Sequence, residues 1–317
     1  MARTTRASTA TTAGTSERLS VRKTYKLYVG GKFPRSESGR TYEVLDAKGR
    51  FLANVAQGSR KDAREAVVAA RAAQAGWAAA TAYNRGQVLY RVAEVLEGRR
   101  DQLVAEVGAG EGLTARQAEL AVSEAIDRWV WYAGWTDKIA QVAGAANPVA
   151  GPYFNLSSPE PTGVVVVLAP QRSSLLGLVS TIAPPLVTGN TVVVVASEQR
   201  PVPAVTLSEV LATSDVPGGV VNVLTGRAAE LAPPLASHRD VDAMDLAGAV
   251  GLDGATGVAG IGWGELEAAA ADSVKRVLRP ATDRRGNDAE PDWTEAPRPQ
   301  RILAFTETKT VWHPKGI

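Results

Sequence analysis

The chain has 317 residues, 45% hydrophobic and 21% charged, with 35 basic against 33 acidic side chains and a formal charge of +2. That length fits one large or two ordinary domains with a substantial core, and the balanced charge argues against a nucleic-acid-binding surface. Cysteine is absent, which excludes disulfides, thiolate metal sites and every mechanism that needs a sulfur nucleophile.

Residues 1–23 are Ser/Thr/Ala-rich at their start, carry Arg3, Arg6 and Arg18 against Glu17, and read as a disordered tail. They lack the apolar core of a secretory signal, and the longest apolar stretch, near residues 163–170, is far short of the roughly 20 residues of a membrane span. A soluble cytoplasmic protein that engages neither membrane nor nucleic acid is expected. Residues 24–58 alternate apolar and polar side chains around turns at Gly30-Gly31 and Ser38-Gly39, which suits short strands. An Ala-rich helix follows. Ser59 and Asp62 form a capping-box signature, and Ala66, Ala69, Ala70, Ala73 and Trp77 share one face. Two more helices are expected over residues 84–109 and 114–133, and together these strands and helices make an N-terminal unit over residues 24–136. The aromatic run Trp129, Trp131, Tyr132 and Trp135 suits a core or a subunit contact.

Residues 162–279 carry the clearest architectural signal. Apolar runs at 163–169 (GVVVVLA), 191–196 (TVVVVA), 220–224 and 241–246 alternate with helical segments at about 175–187, 201–212 and 228–237. Short β-branched runs separated by helices, with no hairpin turn between them, read as a parallel sheet in a doubly wound α/β fold. A Gly-rich passage after Gly251 leads to one more helix, about residues 265–278. Residues 280–300 are rich in charge and proline and read as a disordered linker. Residues 301–317 return to strand-like alternation, with Thr308, Thr310 and Trp312 on one side of the pleat. A strand does not persist alone, so this one must pair with a sheet in this chain or another.

Motif scans find no G-x-G-x-x-G after the first apolar strand, no Walker loop, no H-E-x-x-H and no metal cluster. His238 and His313 are the only histidines and read as surface or helix-end residues. No serine stands in a nucleophile elbow.

The runs PTGVVVVLAP (161–170), APPLVTGNTVVVVASEQRP (183–201), VPGGVVNVLTG (216–226) and LASHRDVDAM (235–244) resemble, in order and spacing, the Rossmann-like cofactor domain of NAD(P)-dependent aldehyde dehydrogenases. KLYVGGKF and the helices of residues 59–135 are similar to that family's N-terminal portion. FTETKTVW (305–312) resembles the C-terminal strand of its small oligomerisation sheet, whose hairpin corresponds to residues 137–161. The resemblance implies a cysteine nucleophile, an oxyanion-holding asparagine and a general-base glutamate. None is present here. There is no cysteine, and the P-W-N-F-P motif reads Pro170, Gln171, Arg172, Ser173, Ser174. The segment with the glutamate, along with the rest of the catalytic domain, is missing. Val195 replaces the lysine that holds the adenosine ribose, and the F-T-G-S turn reads Leu246, Ala247, Gly248, Ala249.

What survives of a cofactor site is Pro170, Glu198, Gly226 and Gly248, which equally serve as turn residues and a helix start. No resident cofactor is expected, with NAD(P) binding weak if it exists. The resemblance therefore implies a truncated, non-catalytic member, similar to the nucleophile-less second copy of tandem aldehyde dehydrogenases. Such a chain would act as a structural or regulatory subunit of an active aldehyde dehydrogenase, joined through the oligomerisation strands, or associate with itself. The alternatives are a residual NAD(P)-linked oxidoreductase and a dinucleotide sensor that binds without reacting.

Overall fold

The structure is a computed structural model that describes residues 22–250 and 262–316. Residues 1–21 of the expected tail and the Gly-rich passage at 251–261 lie outside the described residues.

The chain begins with a three-stranded sheet of β1 (Thr24–Tyr25), β2 (Thr41–Leu45) and β3 (Phe51–Ala56), in the order β1-β3-β2. Gly30, Gly31 and Gly39 adopt positive φ at the expected turns. Between them and β1, Tyr28 exchanges two backbone hydrogen bonds with Val223 and closes one edge of the main sheet. Four helices follow: α1 (Arg60–Ala79), α2 (Ala82–Glu97), α3 (Arg100–Glu111) and α4 (Ala115–Ala133). Ser59 and Asp62 cap α1 reciprocally, as the sequence predicts. The helix expected over residues 84–109 is two helices instead. Gly98 ends α2, with its N–H on Glu94 and Leu96 oxygens, and Arg99 leaves helical geometry before α3 begins. A short helix α5 (Ile139–Ala143) leads to β4 (Ala145–Asn147) and β5 (Tyr153–Pro161).

The α/β core comprises β6 (Val164–Leu168), α6 (Leu176–Thr188), β7 (Thr191–Val195), α7 (Val202–Leu211), β8 (Val221–Leu224), α8 (Ala228–Ala236), β9 (Ala243–Asp245), α9 (Trp263–Ala271) and β10 (Arg276–Leu278). All strand pairs are parallel, in the order β10-β9-β6-β7-β8. Both faces are covered, so the valine runs divide by parity. Val164, Val166 and Val193 pack with Ala66, Ala70, Leu231 and Leu266 on one side. Val165, Val167, Val192 and Val194 pack with Leu89, Trp129, Leu178 and Leu207 on the other. Trp129 and Tyr132 are buried there, so that part of the aromatic run is core.

Three expectations for the C-terminal third need correction. The helix expected over 265–278 stops at Ala271, and after a turn with positive φ at Val274 the chain forms β10, a fifth strand too short to show a pattern of its own. Residues 280–300 do not form a linker with nothing to bury. They contain a two-strand hairpin, β11 (Ala281–Thr282) with β12 (Asp288–Ala289), and Trp293 is buried at 7% exposure. A short helix α10 (Gln300–Leu303) then precedes the last strand, β13 (Thr306–Pro314), within the expected strand at 301–317.

That strand pairs antiparallel with β5 along all nine residues, giving a separate sheet β13-β5-β4. Asn190, at the end of α6, donates to the Phe305 carbonyl (3.0 Å) and fixes the base of β13 to the core.

Candidate functional site

In an open parallel sheet, ligands bind beyond the C-terminal ends of the strands where the strand order reverses. Here β6 leads to β7 and β8 on one side, whereas β9 and β10 lie on its other side. The switch point therefore falls between β6 and β9, and the loops that border it are residues 169–175 and 246–250.

Pro170 and Gly248 lie on the two loops that border this crevice. A Cβ at Gly248 would lie 2.3 Å from the carbonyl carbon and oxygen of Ala169 and from the Leu168 oxygen. Only glycine lets the two strand ends approach so closely. Pro170 is buried and supports the start of α6, where a Cβ at Gly177 would meet its ring carbons at 3.0 Å.

Between β6 and α6 lie the backbone N–H groups that would receive an anion in such a fold. They are engaged within the chain. Gln171 and Arg172 donate to one carboxylate oxygen of Glu290, at 2.8 and 3.3 Å. Ser174 donates from its N–H and its hydroxyl to Glu111, both at 2.6 Å, and Gly177 donates to the Ser173 hydroxyl at 2.9 Å. Burial pushes the Glu111 carboxyl above its ordinary range, although the Ser174 donors pull the other way. Ser173 and Ser174, which stand in the P-W-N-F-P motif, thus secure the start of α6. Arg172 is exposed, and its carbonyl accepts from Arg200 at 3.0 Å.

Glu198 and Gly226 form a second group at the ends of β7 and β8. Glu198 is 3% exposed, pairs with the Arg227 guanidinium and accepts from the Ala228 N–H (3.2 Å) at the start of α8. A carboxylate at a helix N-terminus is favourably placed. Tyr42 donates to the Glu198 carbonyl (3.1 Å) beneath the Arg227 guanidinium, and burial raises the Tyr42 phenol well above its ordinary value. Gln171 fills the space between the two groups, accepting from the Glu198 N–H (3.0 Å) and donating to the Ala169 carbonyl (2.8 Å). Gly226 holds φ +146°, and a Cβ there would lie 2.9 Å from the Gly58 backbone nitrogen.

Sequence reasoning missed four participants. Glu290, Trp293 and Arg301 come from the segment read as a linker and its continuation. Asp245, fully buried at the end of β9, pairs with Arg301, whose guanidinium lies 5.3 Å from the Trp293 ring centroid. The signal that could have found this cluster was a lone tryptophan in a charged, proline-rich run. The histidines stay outside: His238 accepts from the Asp240 N–H (3.2 Å), before the start of β9, and His313 is exposed on β13.

These residues do not fit a dinucleotide as they are placed. The donors for a diphosphate hold Glu290 and Glu111, and the one surviving ribose-type carboxylate, Glu198, is neutralised by Arg227. Among the described residues, no cluster of His, Cys, Asp or Glu could hold a metal ion, and no helix is long and apolar enough to cross a membrane.

Comparison with known proteins places this geometry in a family. A family model described as "Aldehyde dehydrogenase family" matches residues 33–252. The chain is 34% identical over 229 residues to aldehyde dehydrogenase family 2 member B4 of Arabidopsis thaliana, covering 70% of this chain and 42% of that protein. It is 32% identical over 257 residues to human retinal dehydrogenase 2, covering 80% and 47%. Among solved structures, it superposes on a Bacillus cereus aldehyde dehydrogenase in its NAD+ complex with a TM-score of 0.73 at 27% identity, covering 80% and 50%. HpcC from Thermus thermophilus gives 0.74 at 28%, covering 82% and 48%. The chain spans about half the length of the relatives it matches. Matched in sequence over most of its length and in fold over more, the chain belongs to the aldehyde dehydrogenase family.

Proposed function

We propose that this chain is a non-catalytic family member that serves as a structural or regulatory subunit of an active aldehyde dehydrogenase. The observation that carries the reading is the sheet β13-β5-β4. Every residue of β13 after Thr306 is exposed, and Tyr153, Phe154, Leu156, Val311 and Trp312 present apolar surface on it. Val311 sits opposite Leu156, and His313 opposite Phe154, so one face carries a contiguous apolar group; Tyr153 and Trp312 meet edge-on at 5.9 Å on the sheet. A three-stranded sheet with large apolar side chains in water supplies little to this chain's own core and much to an interface.

The chemistry supports the same reading. With no cysteine there is no thiolate, and the serines beside the switch point are committed to the start of α6. A serine without a general base is hardly ionised at neutral pH and makes a poor nucleophile. The part that remains is what positions and joins, rather than what reacts.

The reading is tested by mixing the full chain with an active aldehyde dehydrogenase from the same cell and separating the mixture by size exclusion. Co-elution in a defined ratio is expected. Separate elution at every concentration contradicts the proposal, and self-assembly without the enzyme replaces the partner with a second copy of this chain.

A further inference from the structure

The loop from residue 281 to residue 299 spans two fixed points. At one end β10 pairs with β9; at the other, Arg301 pairs with buried Asp245, and Ile302 and Phe305 are buried in the core. Within residues 281–299 Trp293 is the only buried residue. The remaining attachments to the body are polar: Glu290 on the Gln171 and Arg172 N–H groups, the Asp288 carboxylate on the Trp263 indole of α9 (2.5 Å), and the Glu295 carbonyl on the Arg128 guanidinium (2.8 Å). The Trp293 indole donates back to the second Glu290 oxygen at 3.4 Å, so the ring and the carboxylate hold one another in place. A segment with one buried side chain, held otherwise by a few polar contacts, belongs to the low end of local stability.

Two consecutive backbone N–H groups at the end of a central parallel strand, aimed at one negatively charged oxygen, make the arrangement that receives a phosphate in this class of fold. Here the oxygen is the chain's own. We propose that residues 281–299 form an internal latch over the switch-point crevice, in which the Glu290 carboxylate takes the place of a ligand's diphosphate, so that a nucleotide binds only when the latch is withdrawn. The recognised chemistry is a nucleoside diphosphate, alone or as part of a dinucleotide. The inference stands apart from the subunit reading, because a chain that captures no partner can still carry the latch.

The contest is between an intramolecular anion and a dissolved one. Removing the carboxylate leaves the two N–H groups without their acceptor and available to a ligand. Full-length protein and Glu290→Ala are titrated with ADP by calorimetry and with NADH by fluorescence, after matching their melting curves. The variant should bind at least one of the two about tenfold more tightly than the native chain, the range lost with one charge-assisted hydrogen bond. Tightening by NADH alone assigns the crevice to a dinucleotide; tightening by both assigns it to the diphosphate. A folded Glu290→Ala chain that binds neither more tightly overturns the proposal. Hydrogen exchange on the native protein decides independently of folding in the variant. The amides of residues 171 and 172 should be protected, and saturation with ADP should speed exchange across residues 281–299. Unprotected amides at 171 and 172, or nucleotide binding that leaves the loop as protected as before, refute the latch.

Discussion

At the scale of single residues, the surviving family positions have been drawn into the chain's own hydrogen bonds. Glu198 shows this most directly: it is buried, paired with Arg227 and seated on the start of α8. Arg227→Ala would strand that carboxylate with one remaining donor. Leaving a buried charge under-satisfied costs about 1–3 kcal/mol, so chemical denaturation of Arg227→Ala should report a loss in that range. No loss would mean that Glu198 is held ready for something else. Glu106 offers a pH-dependent test. Burial raises its carboxyl above the ordinary value of 4.5, against the pull of Gln102 and Thr206, and Glu209 nearby adds to the rise. The folded state therefore holds a proton that the unfolded state releases, and stability falls as pH rises through the window from the ordinary value to the raised one. One Glu106 oxygen is buried with no partner. In Glu106→Gln the ionisation disappears, so its melting temperature should match the native protein's near pH 4 (about the ordinary carboxylate value) and exceed it by pH 7. A difference that does not change with pH would contradict this account. Such pairings were not legible in the sequence, because Arg227 and Glu290 acquire meaning only when the fold brings them to Glu198 and to residues 171–172.

At the scale of elements, legibility followed periodicity. The valine runs of β6 and β7 and the capping box of α1 were readable because each has a local cause: burial on both faces and reciprocal hydrogen bonds. The failures were elements whose cause is remote. β10 is three residues long and exists because β9 offers it an edge, and the loop at 281–299 is placed by Arg128, Asp245 and the β6–α6 turn. The β6–β9 junction makes a prediction of this kind. Gly248→Ala forces a methyl group into the Ala169 carbonyl, and such overpacking costs typically about 1–3 kcal/mol. Thermal melting should show the loss without any ligand present. A fully stable Gly248→Ala chain would mean that the strand ends relax freely, and that the glycine serves a ligand rather than the fold.

At the scale of the whole molecule, two halves of the chain have different states of completion. The α/β core is closed: both sheet faces are covered, and the turn that would receive an anion is filled from within. The sheet β13-β5-β4 is open, with apolar side chains facing solvent on a strand tied to the core at its base. The family resemblance was visible in the collinear apolar blocks, and the lack of any thiol in the cysteine count. The contrast between a closed crevice and an open sheet needed coordinates. The central claim is that the open sheet is the working surface. Leu156 and Val311, cross-strand partners and each 50% exposed, can be changed without disturbing the core. The most direct measurement is the affinity of the full chain for the proposed aldehyde dehydrogenase partner, by sedimentation or anisotropy, against a Leu156→Asp/Val311→Asp chain of equal melting temperature. The account predicts a loss of at least about tenfold, as for truncated anchors at an interface centre, and unchanged affinity would contradict it.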